Sequence, residues 1–445
     1  MKKLFKVFRI TAAIILLLVV VLFDTVDYTS YRDTEYYQKT IERVNLLTPA
    51  PEIEGNLLVG WSKASIIPSY PVKSIGYNKN DYYTAIHDSL NVRAIVFADS
   101  QKTIGIVSLD LIMVHPKVVQ AVKLGLDSIG VDEVYFSATH THNGFGGWSP
   151  GLASRFVLGG YEEHIVNWVG QQALKALDDA NKVKESAKLG YQKIALPDLV
   201  ANRLDKESGS IDSLFRIVEI LTTSNKRALI STFSAHPTSL PRRLLELSGD
   251  YPGAYNSNLE RSDDVDFSMF CAGGVGSHKP VMPDYTYEHM DAYAKKISDT
   301  VMSNLDHFQE VKGNSFDYCE FQVDVRESTF KLSQEVKLRS WLFNSIMGGI
   351  QPKITYFQLG ELVFVGAPAD FSGQLSAAIQ EQVFDERIEV IITSFNGAYM
   401  GYITQDDYYQ QKHFETQEMN WFGPYNGAYF SELMIKTINK KNPVE

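Results

Sequence analysis

Residues 131–147 read VDEVYFSATHTHNGFGG, and the parsing of that stretch decides the fold. Val134, Tyr135 and Phe136 are the β-branched and aromatic types of a buried strand. The polar, glycine-rich segment after them cannot continue a core strand, so the strand delivers His140 and His142 to a rim. Side chains in extended backbone alternate with a period of two. Both imidazoles are therefore expected to face one pocket, where they share a metal ion or flank one substrate atom. Two surface histidines in a loop would be the plainer reading. Gly144, Gly146 and Gly147 weigh against it, because glycine after a strand lets backbone come close to a ligand.

The same pattern recurs downstream. Residues 228–238, ALISTFSAHPT, run into His236, and Pro237 stops the ladder. Residues 269–280, MFCAGGVGSHKP, enter a glycine loop presenting Ser277, a setting that suits a nucleophile, although glycine–serine loops commonly only turn. Residues 362–371, LVFVGAPADF, end on Asp370, and residues 390–402, VIITSFNGAYMGY, end in tyrosines. Imidazole is the usual zinc ligand, so His140, His142 and His236 form a candidate rim. Asp250, in the turn 248–253, either orients one of these histidines or simply forms the turn. Open α/β sheets place their sites beyond strand ends, so these ends are expected to converge.

Upstream, residues 60–68 read as a strand, 92–98 and 103–109 as a hairpin-like pair, and 116–129 as a helix. A second helix is expected over 160–180, with Ile165, Val166, Val169, Ala173 and Leu174 at helical spacing. Strands and helices interleave to the end, without internal repeats. The expected fold is α/β, a single large domain of mixed β-sheets flanked by helices and preceded by a hydrophobic anchor helix. The expected divisions are an anchor at 1–24, a lead-in at 25–58 and a catalytic body at 59–445. Smaller expectations are that His87 supports the loop before residue 92, that Asp88 pairs with Arg93, and that Asp110 and His115 back the site or are structural.

Lys2, Lys3, Lys6 and Arg9 precede an apolar run at 10–23, which is shorter than the roughly twenty residues a bilayer span prefers. No small-x-small cleavage site follows it. An uncleaved anchor, with its N-terminus in the cytoplasm and the body outside, fits best; a cleaved signal would make the protein secreted. With 44% hydrophobic and 21% charged residues the body is globular, and a net charge of -11 argues against nucleic acid as a partner. Cys271 and Cys319 permit one bridge at most and no thiolate metal site.

From about Gly60 onward the chain resembles the catalytic domain of the neutral/alkaline (non-lysosomal) ceramidase family. Residues 137–147, SATHTHNGFGG, are similar to that family's T-H-T-H-S-G-x-G-G, its most specific mark. Residues 85–94, AIHDSLNVRA, resemble its G-V-H-D-x-L-x-A-R-A, and 235–239, AHPTS, also match. Residues 402–404, YIT, followed by Tyr408 or Tyr409 and by 422–424, FGP, are similar to its closing elements. The resemblance implies zinc-dependent cleavage of the amide bond of ceramide, or a related N-acyl lipid, to fatty acid and sphingoid base. It implies Zn2+ held by His140, His236, Asp370 and the phenol oxygen of Tyr402, His142 stabilising the oxyanion, Arg203 holding substrate and Ser277 as nucleophile.

Several positions depart from the family pattern. Around the serine, Ala272 replaces asparagine, Val275 aspartate and His278 proline; Asp370 stands for glutamate and Phe414 for a tyrosine. The immunoglobulin-like domain that usually follows the catalytic part does not appear in the sequence. These changes leave open a zinc hydrolase of the same fold acting on a non-lipid amide or ester, and a catalytically impaired metal-binding relative. An H-x-H amidohydrolase barrel is set aside, because eight βα units are not found.

Overall fold

The computed structural model describes residues 2–77 and 80–444. Met1, part of the basic leader, lies outside the described residues. The chain opens with helix α1 (Lys2–Leu22), strand β1 (Phe23–Thr25) and helix α2 (Glu35–Asn45). The segment long and apolar enough to cross a bilayer is Lys3–Leu22, 20 residues, longer than the run read from sequence. The difference arises because Leu4, Phe5, Val7 and Phe8 lie on the same continuous helix between the cations. Residues 25–58 are more than a lead-in. Tyr31 and Val44 are buried in the core beneath the C-terminal helix, and the Tyr31 and Tyr37 hydroxyls donate to Glu432 at 2.7 and 2.6 Å.

The first half of the body forms β2 (Leu58–Ser65), β3 (Asn91–Ala98), β4 (Thr103–Leu109), α3 (Pro116–Lys123), β5 (Glu133–Ala138), α4 (Glu163–Lys182), β6 (Glu185–Ala195), β7 (Leu214–Thr222), β8 (Arg227–Phe233), α5 (Asp250–Glu260), β9 (Phe267–Ala272) and α6 (Tyr287–Met302). Its strands make one mixed sheet in the order β9-β8-β7-β6-β2-β3-β4-β5, with Gln309–Glu310 added along β6. The second half forms β10 (Phe316–Gln322), β11 (Val336–Leu338), α7 (Ser340–Met347), β12 (Lys353–Leu359), β13 (Leu362–Ala367), β14 (Asp370–Phe371), α8 (Gly373–Gln380), β15 (Glu389–Ser394), β16 (Tyr402–Ile403) and α9 (Asn426–Lys441). Here the sheet order is β10-β12-β13-β15, while β11 pairs with β1 and β14 with β16.

The two sheets pack face to face with helices outside, giving four layers. Strand periodicity sorts the side chains between them. Leu362 and Phe364 enter the core between the sheets with Ile95, Phe97 and Tyr135, whereas Val363 and Val365 point outward beneath α8 and α9. On the far face of the first sheet, α3 and α4 cover Val92, Ala94 and Val96, and α5 and α6 cover Phe215, Leu229 and Phe233.

The expected hairpin is present, with Ala98 opposite Thr103. The first expected helix breaks at Gly125 and resumes as a 3-10 turn, Leu126–Ile129, because glycine is a poor helix former. The second begins at Glu163, since Gly159 and Gly160 take positive φ of 79° and 85° that end any helix there. Arg93 does not pair with Asp88. Arg93 is 3% exposed and its guanidinium is held by Glu260, which also accepts from Lys63 at 2.5 Å and from Ser268 N at 3.0 Å. Asp88 accepts instead from Ser248 and Gly249, and His87 stacks on Tyr287 with centroids 3.7 Å apart. Both cysteines are unpaired.

The pairs β4–β5, β8–β9 and β13–β15 are parallel, so their carboxyl ends open in common directions. The sheets are locked near those ends. Tyr135 Oη and Thr393 Oγ1 share a hydrogen bond of 2.6 Å, and Ser394 donates to Gly273 O at 2.7 Å. The five strand ends singled out in the sequence, those of β5, β8, β9, β13 and β15, thereby meet in one region.

Candidate active site and metal centre

His140 follows β5 by two residues, and its backbone has φ +63°. This left-handed conformation is unfavourable for a side chain with a Cβ. It is held by His140 N donating to Leu111 O at 3.1 Å and by the ring stacking on Phe395, centroids 4.0 Å apart and planes 6° apart. Phe395, the residue immediately after β15, is left-handed too, with φ +66°. His140 and His142 do converge, but by this turn and not by strand alternation, since β5 ends at Ala138.

Three Nε2 atoms meet. His140 and His236 are 2.9 Å apart, His142 and His236 3.0 Å, and His142 and His140 3.2 Å. His140 Nδ1 lies 2.5 Å from Ile112 O and His236 Nδ1 3.2 Å from Val275 O. A carbonyl only accepts, so His140 Nδ1 carries the proton and His140 Nε2 turns a bare lone pair inward; His236 Nδ1 also faces Arg203 Nη2 at 3.3 Å, a group that only donates. Burial drives the His140 pKa down to about 3 and that of His236 well below its ordinary value, so both rings stay neutral.

Asp370 and Tyr402 come from the short β14–β16 pair that follows strands of the second sheet. Parallel pairing of β14 with β16 sets Asp370 directly beside Tyr402. Asp370 Oδ2 accepts from Tyr399 Oη at 2.7 Å, whereas Oδ1 is buried without a hydrogen-bond partner and lies 3.4 Å from His140 Nε2. Arg203, on the loop after residue 202, is half-buried between them. Its Nη2 donates to Gly276 O at 3.0 Å and to Tyr402 Oη at 3.3 Å, and its Nε lies 3.1 Å from Glu415. Burial opposes the guanidinium charge, but Tyr402, Glu415 and Asp370 outweigh it and raise its pKa.

Lone pairs facing one another at about 3 Å repel unless a cation lies among them. A tetrahedral ion with bonds of about 2.0–2.2 Å sets its donors roughly 3.3–3.5 Å apart. The 3.4 Å between His140 Nε2 and the lone Asp370 oxygen falls in that range and the nitrogen separations of 2.9–3.2 Å lie just under it, so the donor set accommodates a zinc-like ion with a small outward shift of the rings, and aspartate reaches despite being one methylene shorter than glutamate. The open side is marked by His142, which is half-buried against the Tyr77 ring at 4.7 Å, and by exposed Phe414, whose ring lies 6.3 Å from that of Tyr402.

Ser277 shares the region through its backbone, as Ser277 O accepts from Arg203 N at 2.9 Å. Its side chain turns toward α8 and is fully buried. Oγ accepts from Gly373 N at 3.1 Å and lies 2.8 Å from both Ser372 Oγ and His278 Nδ1. His278 Nε2 accepts from Asp212 N at 3.1 Å, and burial lowers its pKa to about 4, so Nδ1 holds the proton and donates to Ser277. In that tautomer His278 cannot take the serine's proton.

Asp250 touches none of the histidines. It accepts from Ser239 N at 3.1 Å and from Tyr251 N at 2.7 Å, and so pins the loop after His236. His115 caps α3 by accepting from Lys117 N at 3.1 Å, and Asp110 accepts from Asn91 N at 2.8 Å. Tyr77, Glu415 and the role of Tyr399 carry no signal in the sequence, because each gains its place only by folding.

Residues 58–275 match the family described as neutral/alkaline non-lysosomal ceramidase, N-terminal. Over that stretch, just under half of the chain, the protein is similar to the neutral/alkaline ceramidase family. The match takes in His140, His142, Arg203 and His236, while Ser277, Asp370 and Tyr402 lie beyond it. Two solved ceramidases share the fold. The crystal structure of neutral ceramidase from Pseudomonas aeruginosa is 19% identical, with a TM-score of 0.74, over 88% of this chain and 76% of that one. A ceramidase complexed with C2 is 18% identical, with a TM-score of 0.77 and the same coverage. The chain thus shares the fold of these ceramidases at low identity.

Burial, partly offset by Tyr399 and Arg203, raises the Asp370 pKa to about 7. The folded chain therefore binds a proton that the unfolded chain has lost, so without metal, stability falls as pH rises from the ordinary carboxylate range through 7. A bound cation displaces that proton. Zinc uptake is expected to release about one more proton near pH 6 than near pH 8. Calorimetry in buffers of different ionisation heat measures this, and equal release at both would place Asp370 outside the coordination set.

Proposed function

We propose that this protein is a zinc-dependent amidohydrolase that cleaves ceramide or a related N-acyl lipid to fatty acid and sphingoid base, held at a membrane by α1 with its body outside the cytoplasm. The observation that carries this is the convergence of His140, His142 and His236 Nε2 on one point beside the unpartnered Asp370 oxygen, within a ceramidase fold. His140, His236, Asp370 and Tyr402, which the β14–β16 pairing sets beside Asp370, would hold the ion, with His142 Nε2 facing the same point from the open side. When bound, it supplies Lewis-acid polarisation of the amide carbonyl and lowers the pKa of a water.

The protein's own groups do the rest. Tyr399 fixes one Asp370 oxygen so that the other faces inward. Arg203 sits over the Tyr402 ring at 5.5 Å and favours its phenolate form against burial and Asp370, which raise the phenol pKa. Arg203 also tethers the 276–277 backbone, and any contact it makes with substrate is at that edge. His142, on the open side, meets the substrate carbonyl and stabilises the oxyanion, an interaction worth about 3–4 kcal/mol in hydrolases. We assign the attack to water and give Ser277 a tethering role, because its Oγ is already engaged by two N–H donors.

The test is metal content of the purified protein together with fatty-acid release from an N-acylsphingosine. One equivalent of zinc with release that a chelator abolishes and zinc restores is expected. Bound zinc with no release would favour the non-lipid hydrolase, and no metal at all would sink both.

A further inference from the structure

We propose that the face formed by α7, residues 148–161 and the hairpin 331–338 rests on the bilayer that α1 enters, so that the mouth of the histidine cluster opens at the lipid surface. This goes beyond the reaction proposed above and does not depend on it.

No linker separates α1 from the body. Leu22 ends the helix and Phe23 begins β1, which pairs with β11 from Phe23 opposite Leu338 to Thr25 opposite Val336. The carbonyls at a helix C-terminus need outside donors. Here they come from the body: Arg339 N donates to Leu22 O and Arg339 Nε to Val20 O, both at 2.9 Å, and the Trp341 indole N–H points to Val21 O at 3.4 Å. Arginine and tryptophan at the end of an apolar helix are the side chains that settle at a membrane interface. Beyond them, Arg326 donates to Thr29 O at 2.6 Å and Tyr28 to Gln334 O at 2.8 Å. The residues that follow α1 are built into the fold, so with α1 attached its direction fixes that of the body.

The elements around that junction lead to the site on both sides. On one, Ala153 N donates to Ile346 O of α7, and Gly147 N, five residues after His142, donates to Leu158 O, each at 3.0 Å. On the other, Gln334 donates to Gln410 O at 2.9 Å, in the segment that runs on to Phe414 beside Tyr402. Along this path Leu152, Phe156, Trp341, Leu332, Val336 and Phe414 are all exposed, Phe156 by 68% and Trp341 by 54%. Exposed apolar side chains on hydrogen-bonded segments joined to a membrane helix are explained by lipid contact. Arg155 and Lys337, on the same two segments, suit an anionic surface.

The test uses the full-length chain in phosphatidylcholine and phosphatidylglycerol vesicles. In a Cys319→Ser background, Phe156→Cys, Trp341→Cys and Phe384→Cys each carry an environment-sensitive dye. Phe384 is 75% exposed and precedes β15, at the opposite end of the sheet from the site. Doxyl-labelled lipids are expected to quench the dyes at 156 and 341 several-fold more than the dye at 384. Quenching at 341 alone would confine contact to the anchor and overturn the docking face, as would a dye at 156 that is shielded but not quenched, which means a second copy covers it. A chain that does not float with vesicles, or whose intact mass shows the first residues removed, would overturn the anchor itself, whatever its hydrolytic activity.

Discussion

His236→Ala is expected to strip the purified protein of its divalent ion and to lower fatty-acid release by more than about a hundredfold, since even groups that only support metal ligands cost 10–100-fold when removed. His236 Nε2 lies within 3.0 Å of both other imidazole nitrogens, so no neighbour can replace it without moving the chain. The loss should be chemical and not a failure to fold, because removing the ring also removes one of the lone pairs that repel in the metal-free state. The metal-free variant is thus expected to melt no lower than the metal-free parent. His87→Ala is the matched control, as its ring stacks on Tyr287 away from the cluster. A His236→Ala protein with full zinc and full activity would remove the centre from this region.

Much of the site was legible because strands ending in a chemical residue are local patterns. His140, His236 and Asp370 were each marked by a buried apolar run stopping at a polar side chain, and the mixed sheets brought those ends together. The reason given for the histidine pair was wrong in detail, since a period-two argument requires extended backbone and His140 is left-handed. No local pattern announces such a conformation at a non-glycine residue; tertiary contacts with Leu111 and Phe395 impose it. The side-by-side setting of Asp370 and Tyr402 was equally invisible, because it arises from a two-residue pairing across thirty-two positions of sequence. Arg93 shows the opposite error. Nearness in sequence suggested Asp88 as its partner, while the fold supplied Glu260 from α5.

The direction of a side chain within a glycine loop is the least legible feature of all, and Ser277 rests on it. Ser277→Ala is expected to leave fatty-acid release per folded molecule within about tenfold of the parent, whereas loss of a covalent nucleophile costs on the order of 10^4-fold or more. Its larger effect should be on stability. Alanine leaves Gly373 N–H and His278 Nδ1–H buried without an acceptor, each costing about 1–3 kcal/mol. The unfolding free energy from urea titration should fall accordingly, by roughly 2–6 kcal/mol in all if the two costs add. Gly276 offers no slack for repair, because a Cβ there would lie 2.3 Å from Asp370 O, so the loop is wedged against the carboxylate strand. Ser277→Cys supplies the contrast: its larger, weaker acceptor should recover little stability, and under the tethering reading it gains no thiol reactivity toward amide substrates. Activity lost completely in Ser277→Ala while the variant stays folded would return the serine to the role of nucleophile and require its Oγ to swing out of the α8 terminus during turnover.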